Sequence, residues 1–335
     1  MLKVKRLLVL LGLSVTLCVS AQDYFNHMDF GVNVSSTGIG ADIAMPVGNY
    51  VRLRTGFTYM PKFTVKSNFD VKFMGKVSDE KLQKMKDMME NFTGQVMQEN
   101  VDMLMSPKCT NFKFLVDVFP IPGNKHWSVT AGFYAGPSRI GEAENDESAI
   151  PTLSAVNMYN AMYLKAYKGD NIAPIEGASI IPPQYYDKFV EIGMMGMPLG
   201  KFSDGSKAVM IPNKNSMAKA TMEVSKFRPY VGLGYNTTLS RDGKWKLTVD
   251  AGALFWGGNP HIYVDNVYKV SSDPDDCPMT TWNNEEGSWE DILPTRIDLT
   301  RDVSEIPGKV GDMVNTVKKF KCWPVVSVTF SHKLF

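Results

Sequence analysis

The stretch Tyr50-Val-Arg-Leu-Arg-Thr-Gly-Phe-Thr-Tyr-Met60 changes character at almost every residue. Successive side chains of an extended chain point to opposite faces. One face therefore reads Val51, Leu53, Thr55, Phe57 and Tyr59, and the other Arg52, Arg54, Gly56 and Thr58. Immediately upstream, Ile39-Gly-Ala-Asp-Ile-Ala-Met45 and the turn Pro46-Val-Gly48-Asn49 supply a hairpin partner. Such alternation suits two environments. A water-soluble β-sandwich turns the apolar face into a core, whereas a membrane barrel turns it toward lipid and keeps small and polar residues inside.

The same pattern recurs on both sides of this stretch. Asn111–Phe119 and Trp127–Gly136 flank the turn Pro120–Lys125, and Phe227–Leu239 and Trp245–Trp256 flank the turn Arg241–Lys244. Phe30–Ser36 near the start and Trp323–Phe335 at the end bring the number of strands to eight. Trp127, Val129, Ala131, Phe133 and Ala135 oppose Ser128, Thr130, Gly132 and Tyr134; Trp245, Leu247, Val249, Ala251, Ala253 and Phe255 oppose Lys246, Thr248, Asp250 and Gly252. The apolar faces begin or end in aromatics, as side chains do at a membrane–water boundary. Strands of about nine residues or more cross a bilayer when tilted, and faces rich in Gly, Ser and Thr suit a narrow lumen. The pattern predicts an all-β fold, an eight-stranded antiparallel up-and-down transmembrane β-barrel.

The connections fit that topology. Ser36–Gly38, Pro46–Asn49, Pro120–His126 and Ser240–Lys244 are short, while Pro61–Thr110, Pro137–Lys226 and Gly257–Cys322 are very long. Short turns belong to the periplasmic side of such barrels and long loops to the outside. With both termini inside, an even strand number places every long connection outside the cell.

The N-terminus reads as a secretory signal. Lys3, Lys5 and Arg6 precede the apolar run Leu7–Val19, and Val19-Ser20-Ala21 has the small residues of a cleavage site. The expected organisation is a signal peptide over 1–21 and one barrel domain over 22–335, with insertions at about 61–110, 137–226 and 257–322. Leu17 stands where a lipid anchor at Cys18 would need a small residue. Cleavage removes three cations from a chain of formal net charge +1, so nothing attracts nucleic acid. No run of eighteen apolar residues follows Ala21, which excludes helical membrane spans. An exported chain of alternating strands that ends in Phe335 points to the outer membrane of a Gram-negative cell.

Through Gly38-Ile-Gly-Ala-Asp-Ile43, Tyr50-Val-Arg-Leu-Arg-Thr-Gly-Phe-Thr-Tyr59, Arg228-Pro-Tyr-Val-Gly-Leu-Gly-Tyr235 and the terminal Phe335, the chain resembles the small outer-membrane barrels of the OmpA and OmpX type. The resemblance covers the strands and not the long connections. It implies contact with outer-membrane lipid and lipopolysaccharide, and assembly by the barrel-assembly machinery through the C-terminal strand and Phe335. Two departures stand out: Val326, Val328, Phe330 and Leu334 lie on the face opposite Phe335, and Pro229 sits inside a strand, where proline is tolerated only at a bulge or an end.

Alternation places Asp42, Arg52, Arg54, Lys113, Asp117, Arg228, Lys246 and Asp250 in the lumen. Eight strands enclose a space just wide enough for side chains. Buried charges persist there only when paired, and Arg can serve two carboxylates at once. A salt-bridged filling is therefore expected, with a narrow solute pore as the alternative.

The long connections carry helical periodicity. Leu82, Met85, Met89, Phe92, Val96 and Leu104 recur at near-helical spacing over Asp79–Met105; Val156, Tyr159, Met162 and Tyr163 do so over Leu153–Tyr167; Val310, Met313, Val314 and Val317 suggest a third helix. A partly helical extracellular cap follows. Its Met stripe packs inside the cap or, alternatively, forms an adaptable surface for a protein or glycan partner.

Signs of catalysis are sparse. Of His27, His126, His261 and His332, only His261 falls at the outer rim, with Asp265, Ser271 and Ser272 near it in sequence. A lipid-modifying acyltransferase or deacylase would need nucleophile and base to meet in space. Asp273-Pro-Asp-Asp276 lacks the spacing and glycine of a calcium loop. Cys109, Cys277 and Cys322 match no zinc spacing, and a Cys277–Cys322 bridge and three free thiols both remain open. No catalytic residue, cofactor or metal ligand is expected. A structural or surface-interaction barrel is the leading expectation; a rim-active lipid-modifying enzyme or a narrow pore is the alternative.

Overall fold

The computed structural model describes residues 27–73, 80, 83, 84, 86, 87, 90, 91, 100–121, 123–172, 181–271, 273 and 276–334. The signal peptide and Phe335 lie outside the described residues.

Eight strands close a barrel: β1 (Asp29–Ser35), β2 (Gly38–Val47), β3 (Val51–Tyr59), β4 (Thr110–Val118), β5 (Trp127–Ala135), β6 (Phe227–Thr238), β7 (Trp245–Phe255) and β8 (Cys322–Lys333). Each pairs antiparallel with its neighbour in sequence, and β1 pairs with β8 to complete the ring. Closure leaves no strand edge, so the backbone groups of the wall are paired within it, the condition for crossing lipid. Pro229 is accommodated because it pairs with Phe133 of β5 but lies just beyond the β6–β7 ladder, which begins at Tyr230.

The outer surface carries Phe30, Val32, Val34, Ile43, Phe57, Val129, Val231, Leu233 and Val249. An apolar band of this extent has no stable place in water. Tyr50, Trp127, Tyr235 and Trp245 ring the end with the short turns, and Tyr59, Phe227 and Phe255 the outer end, the one with the long insertions, as membrane girdles do. In β8, Val326, Val328 and Phe330 face outward while Ser327, Thr329 and Ser331 face the lumen. The hydrophobics of the last strand therefore face lipid.

The insertions depart from the expected helical cap. β3, β5 and β7 run on past the rim into Val65–Asp70, Arg139–Asn145 and His261–Val270, while Asn100–Pro107 and Lys219–Glu223 lead into β4 and β6. These five outer strands pair in the order of the barrel strands beneath them. Most of the cap is thus a prolongation of the barrel wall. The sheet curls on through Lys207–Met210 and Met195–Lys201 to Lys72–Phe73.

Helices line this sheet. α1 (Ile150–Lys168) and α3 (Gly308–Lys319) lie where periodicity places them, with α2 (Tyr186–Ile192) between. Leu153, Val156, Tyr159 and Tyr163 of α1 pack into a core with Val101, Phe189, Met195, Val209 and Val264. Asn160 clamps the Met195 backbone, its Nδ2 donating to the carbonyl and its Oδ1 accepting the amide, both at 2.8 Å. The first expected helix is corrected in part. Leu104 and Met105 belong to the strand Asn100–Pro107, because that segment continues into β4 and takes its period. The described residues between 80 and 91 are helical; Leu82, Met85, Met89, Phe92 and Val96 lie outside the described residues.

Leu233, mid-strand and 58% exposed toward lipid, tests the embedding. Leu233→Arg is expected to destabilise the barrel by about 2–4 kcal/mol, as cations do near the bilayer midplane, read by urea unfolding in lipid vesicles. A neutral effect would place this face in water.

Candidate functional site

The lumen is filled in layers. Toward the end with the short turns, Arg54 sits between two carboxylates: Nη2 donates to Asp117 Oδ1 at 2.7 Å, and Nη1 and Nη2 donate to Asp250 at 2.7 and 3.0 Å. Arg52 Nε and Thr130 Oγ1 also donate to Asp117, each at 2.7 Å. Lys113 Nζ lies 2.8 Å from Asp42. All seven residues are buried. Charge-assisted, bidentate contacts are the strong class of hydrogen bond, and the pairing is what lets these ions remain in so narrow a space. Gly56 makes room for the cluster, since a Cβ there would strike the Asp42 carboxylate.

Above this cluster lies an apolar layer of Leu115, Tyr134, Tyr230, Leu254 and Val325. The two tyrosine rings meet at 5.7 Å, and Tyr230 lies across Gly252, where a Cβ would be 2.6 Å from its hydroxyl. Cluster and layer together close the lumen. A vestibule of about 440 Å³ remains below, lined by His27, Asp29, Arg52 and Lys246 among others.

The expected lumen residues thus divide into groups. Asp42, Arg52, Arg54, Lys113, Asp117 and Asp250 come together. Lys246 stands apart and donates to Asp29 at 2.8 Å; sequence reasoning omitted Asp29, although alternation along β1 puts it inside. Arg228 joins neither group. It is 0% exposed at the outer rim, where its guanidinium donates to Asn111 Oδ1 at 2.5 Å, to the Ser225 carbonyl at 2.8 Å and to the Pro137 carbonyl. It makes no ion pair among the described residues.

Directly over Arg228, where barrel meets cap, is an apolar chamber of about 390 Å³. Residues from both parts line it, including Met105, Met222, Leu254 and Trp256. No single segment contains the chamber, so no local pattern announces it.

The rim outside the chamber is basic. Five exposed cations stand where strands leave or enter the barrel: Lys62 after β3, Lys108 before β4, Arg139 after β5, Lys226 before β6 and Lys321 before β8. Lys108 and Arg139 reach Glu142 at 3.5 and 3.8 Å.

The histidine at the rim has a different partner from the one its sequence neighbours suggest. His261 Nδ1 lies 2.6 Å from Asp298, while Asp265 pairs with Arg296 at 3.4 Å and Ser271 Oγ accepts from the Asp273 amide. Burial opposes ionisation of Asp298, but hydrogen bonds from Thr300 and His261 hold its carboxyl below the usual range. Ser272 is outside the described residues. Cys109, Cys277 and Cys322 are free thiols, and burial pushes the Cys277 thiol up. Among the described residues no cluster suits a metal ion.

No protein-family model matches this chain, and no curated protein matches it in sequence. Solved structures similar to it include CarO of Acinetobacter baumannii, at 12% identity and TM-score 0.36 over 91% of this chain and 96% of that one. CarO2 of the same organism matches at 12% identity and TM-score 0.37 over 92% and 98%. A Pseudomonas aeruginosa FadL homologue matches at 9% identity and TM-score 0.20, over 90% of this chain and 67% of that one. Likenesses this low add nothing to the barrel, which rests on the chain's own strand pairing.

Arg54→Leu strips Asp117 and Asp250 of their shared cation and is expected to cost about 3–5 kcal/mol, as the loss of one partner from a buried ion pair does. The triple change Arg54→Leu, Asp117→Asn, Asp250→Asn should recover a large part of that loss. Urea midpoints of the refolded barrels measure both.

Proposed function

We propose that the chain is an outer-membrane protein of the OmpA and OmpX type, delivered by its signal peptide and inserted through its C-terminal strand. In this reading it is not an enzyme. It holds a folded cap outside the cell for interaction with lipopolysaccharide and with a surface protein or glycan. The observation that carries this reading is the pairing of a filled lumen with a wall that continues, folded around its own core, beyond the lipid-facing band. The rim cations Lys62, Lys108, Arg139, Lys226 and Lys321 support lipopolysaccharide as the first partner, since exposed cations beside an aromatic girdle attract anionic head groups.

Planar-bilayer recording tests the filled lumen: the intact protein is expected to give no regular conductance steps, and such steps would defeat this reading in favour of a pore. Replacing the five rim cations together with Gln is expected to weaken binding to lipopolysaccharide micelles at least ~10-fold, each cation near an anionic surface contributing on the order of 1 kcal/mol. Unchanged binding would remove lipopolysaccharide as the partner. Mass spectrometry of membrane lipids should show the same acyl-chain number with and without the protein; a change would restore the enzyme reading.

A further inference from the structure

Four of the lumen cations, buried Arg52, Arg54 and Lys113 and half-buried Lys246, each touch an aspartate. Arg228 is the exception: it is fully buried beneath the apolar chamber, with neutral partners only among the described residues. A buried cation without a counter-ion is costly, and a ligand that brings a negative charge removes that cost. A second group calls for the same kind of ligand. Trp256 lines the chamber, is only 6% exposed, and its Nε1 has no hydrogen-bond partner among the described residues. A buried N–H left unpaired is costly, and an oxygen acceptor on a ligand would satisfy it. The remaining lining is mostly hydrocarbon and thioether, with a few hydroxyls and Glu142, whose carboxylate is already held by Lys219 and Lys108.

The wall also supplies a way in. Only β3 to β7 have partners in the outer sheet, so β1, β2 and β8 end at the rim. The chamber spans this low side. Phe63 and Val65 line one flank, Met313 and Val317 of α3 the other, and Ser36 and Thr37 of the β1–β2 turn the sill. Phe63 is 54% exposed and Trp323, which meets Trp256 at 6.0 Å between ring centroids, is 40% exposed. An apolar threshold level with the outer girdle opens toward the outer leaflet rather than toward water.

We propose that the chamber binds one long-chain carboxylate, a free fatty acid, which enters sideways over the β1–β2 turn. Its alkyl chain lies among Met105, Met222 and Ile262, and its carboxylate accepts from Trp256 Nε1 in the field of Arg228. The cavity, about 390 Å³, falls within the usual range of small-molecule sites, roughly 300–1,000 Å³.

Native mass spectrometry of the full-length barrel released from detergent micelles tests this, with palmitic acid, methyl palmitate and a dipalmitoyl phosphatidylcholine as probes. One palmitate per barrel is expected, with methyl palmitate needing at least ~10-fold higher concentration for half occupancy. Arg228→Gln should erase the difference between acid and ester. Trp256→Phe, which removes only the N–H, should weaken the acid several-fold. Ala220→Trp, which fills the chamber, should abolish binding of both. Heat-modifiable gel migration shows which variants are folded; should Arg228→Gln not fold, Trp256→Phe and the acid-to-ester ratio of the unaltered protein decide. Equal occupancy by acid and ester, preference for the intact phospholipid, or palmitate binding that survives Ala220→Trp would each overturn the proposal. None of these outcomes bears on conductance or on lipopolysaccharide binding, so the proposed function stands or falls separately.

Discussion

Arg54 is the tie across the lumen. Its guanidinium bonds Asp117 of β4 and Asp250 of β7 at once, and together with Lys113 on Asp42 it joins strands of the wall that are not neighbours. The planar fork presents its donors in fixed directions and so holds both carboxylates in one geometry, which a freely rotating ammonium does not. The surrounding arrangement follows from this contact. Gly56 and Gly252 lack side chains so that Asp42 and Tyr230 fit, and Arg52 and Thr130 complete the Asp117 shell. The barrel is narrow because eight strands make it so; it is solid because charges of both signs meet inside.

The membrane band was legible in the sequence because lipid on one side and a crowded lumen on the other impose a strict period of two. All eight strands appear where alternation puts them, from Asp29–Ser35 to Cys322–Lys333. The helices α1 and α3 were legible for the corresponding reason, their 3.6-residue period. The outer sheet was not. Arg139-Ile-Gly-Glu-Ala-Glu-Asn145 and Lys219-Ala-Thr-Met-Glu223 are short and mixed in polarity, and they pair only because the strands leading to or from them are already aligned by the barrel. Long-range alignment of this kind leaves no local pattern.

The charged residues show the same divide. Alternation alone puts Arg52, Arg54, Asp117 and Asp250 inside, but it does not give height along the axis, and height separates Lys246 and Arg228 from the central cluster. For His261, sequence neighbours suggested Asp265, whereas the strand Thr295–Asp298 brings Asp298 to it across the sheet. Side chains on a sheet meet their cross-strand neighbours, and these are set by a register that proximity in sequence does not encode.

The continuity of wall and cap has a mechanical consequence. A domain on flexible linkers yields under load before its anchor feels anything. Here β3, β5 and β7 pass from lipid into the cap with only a few residues between ladders, as do the strands feeding β4 and β6. Force applied to the outer tip therefore runs along five strands in parallel and loads the barrel's hydrogen bonds in shear. The cap behaves as a stiff mast stepped in the membrane, held by the five strands that continue the wall.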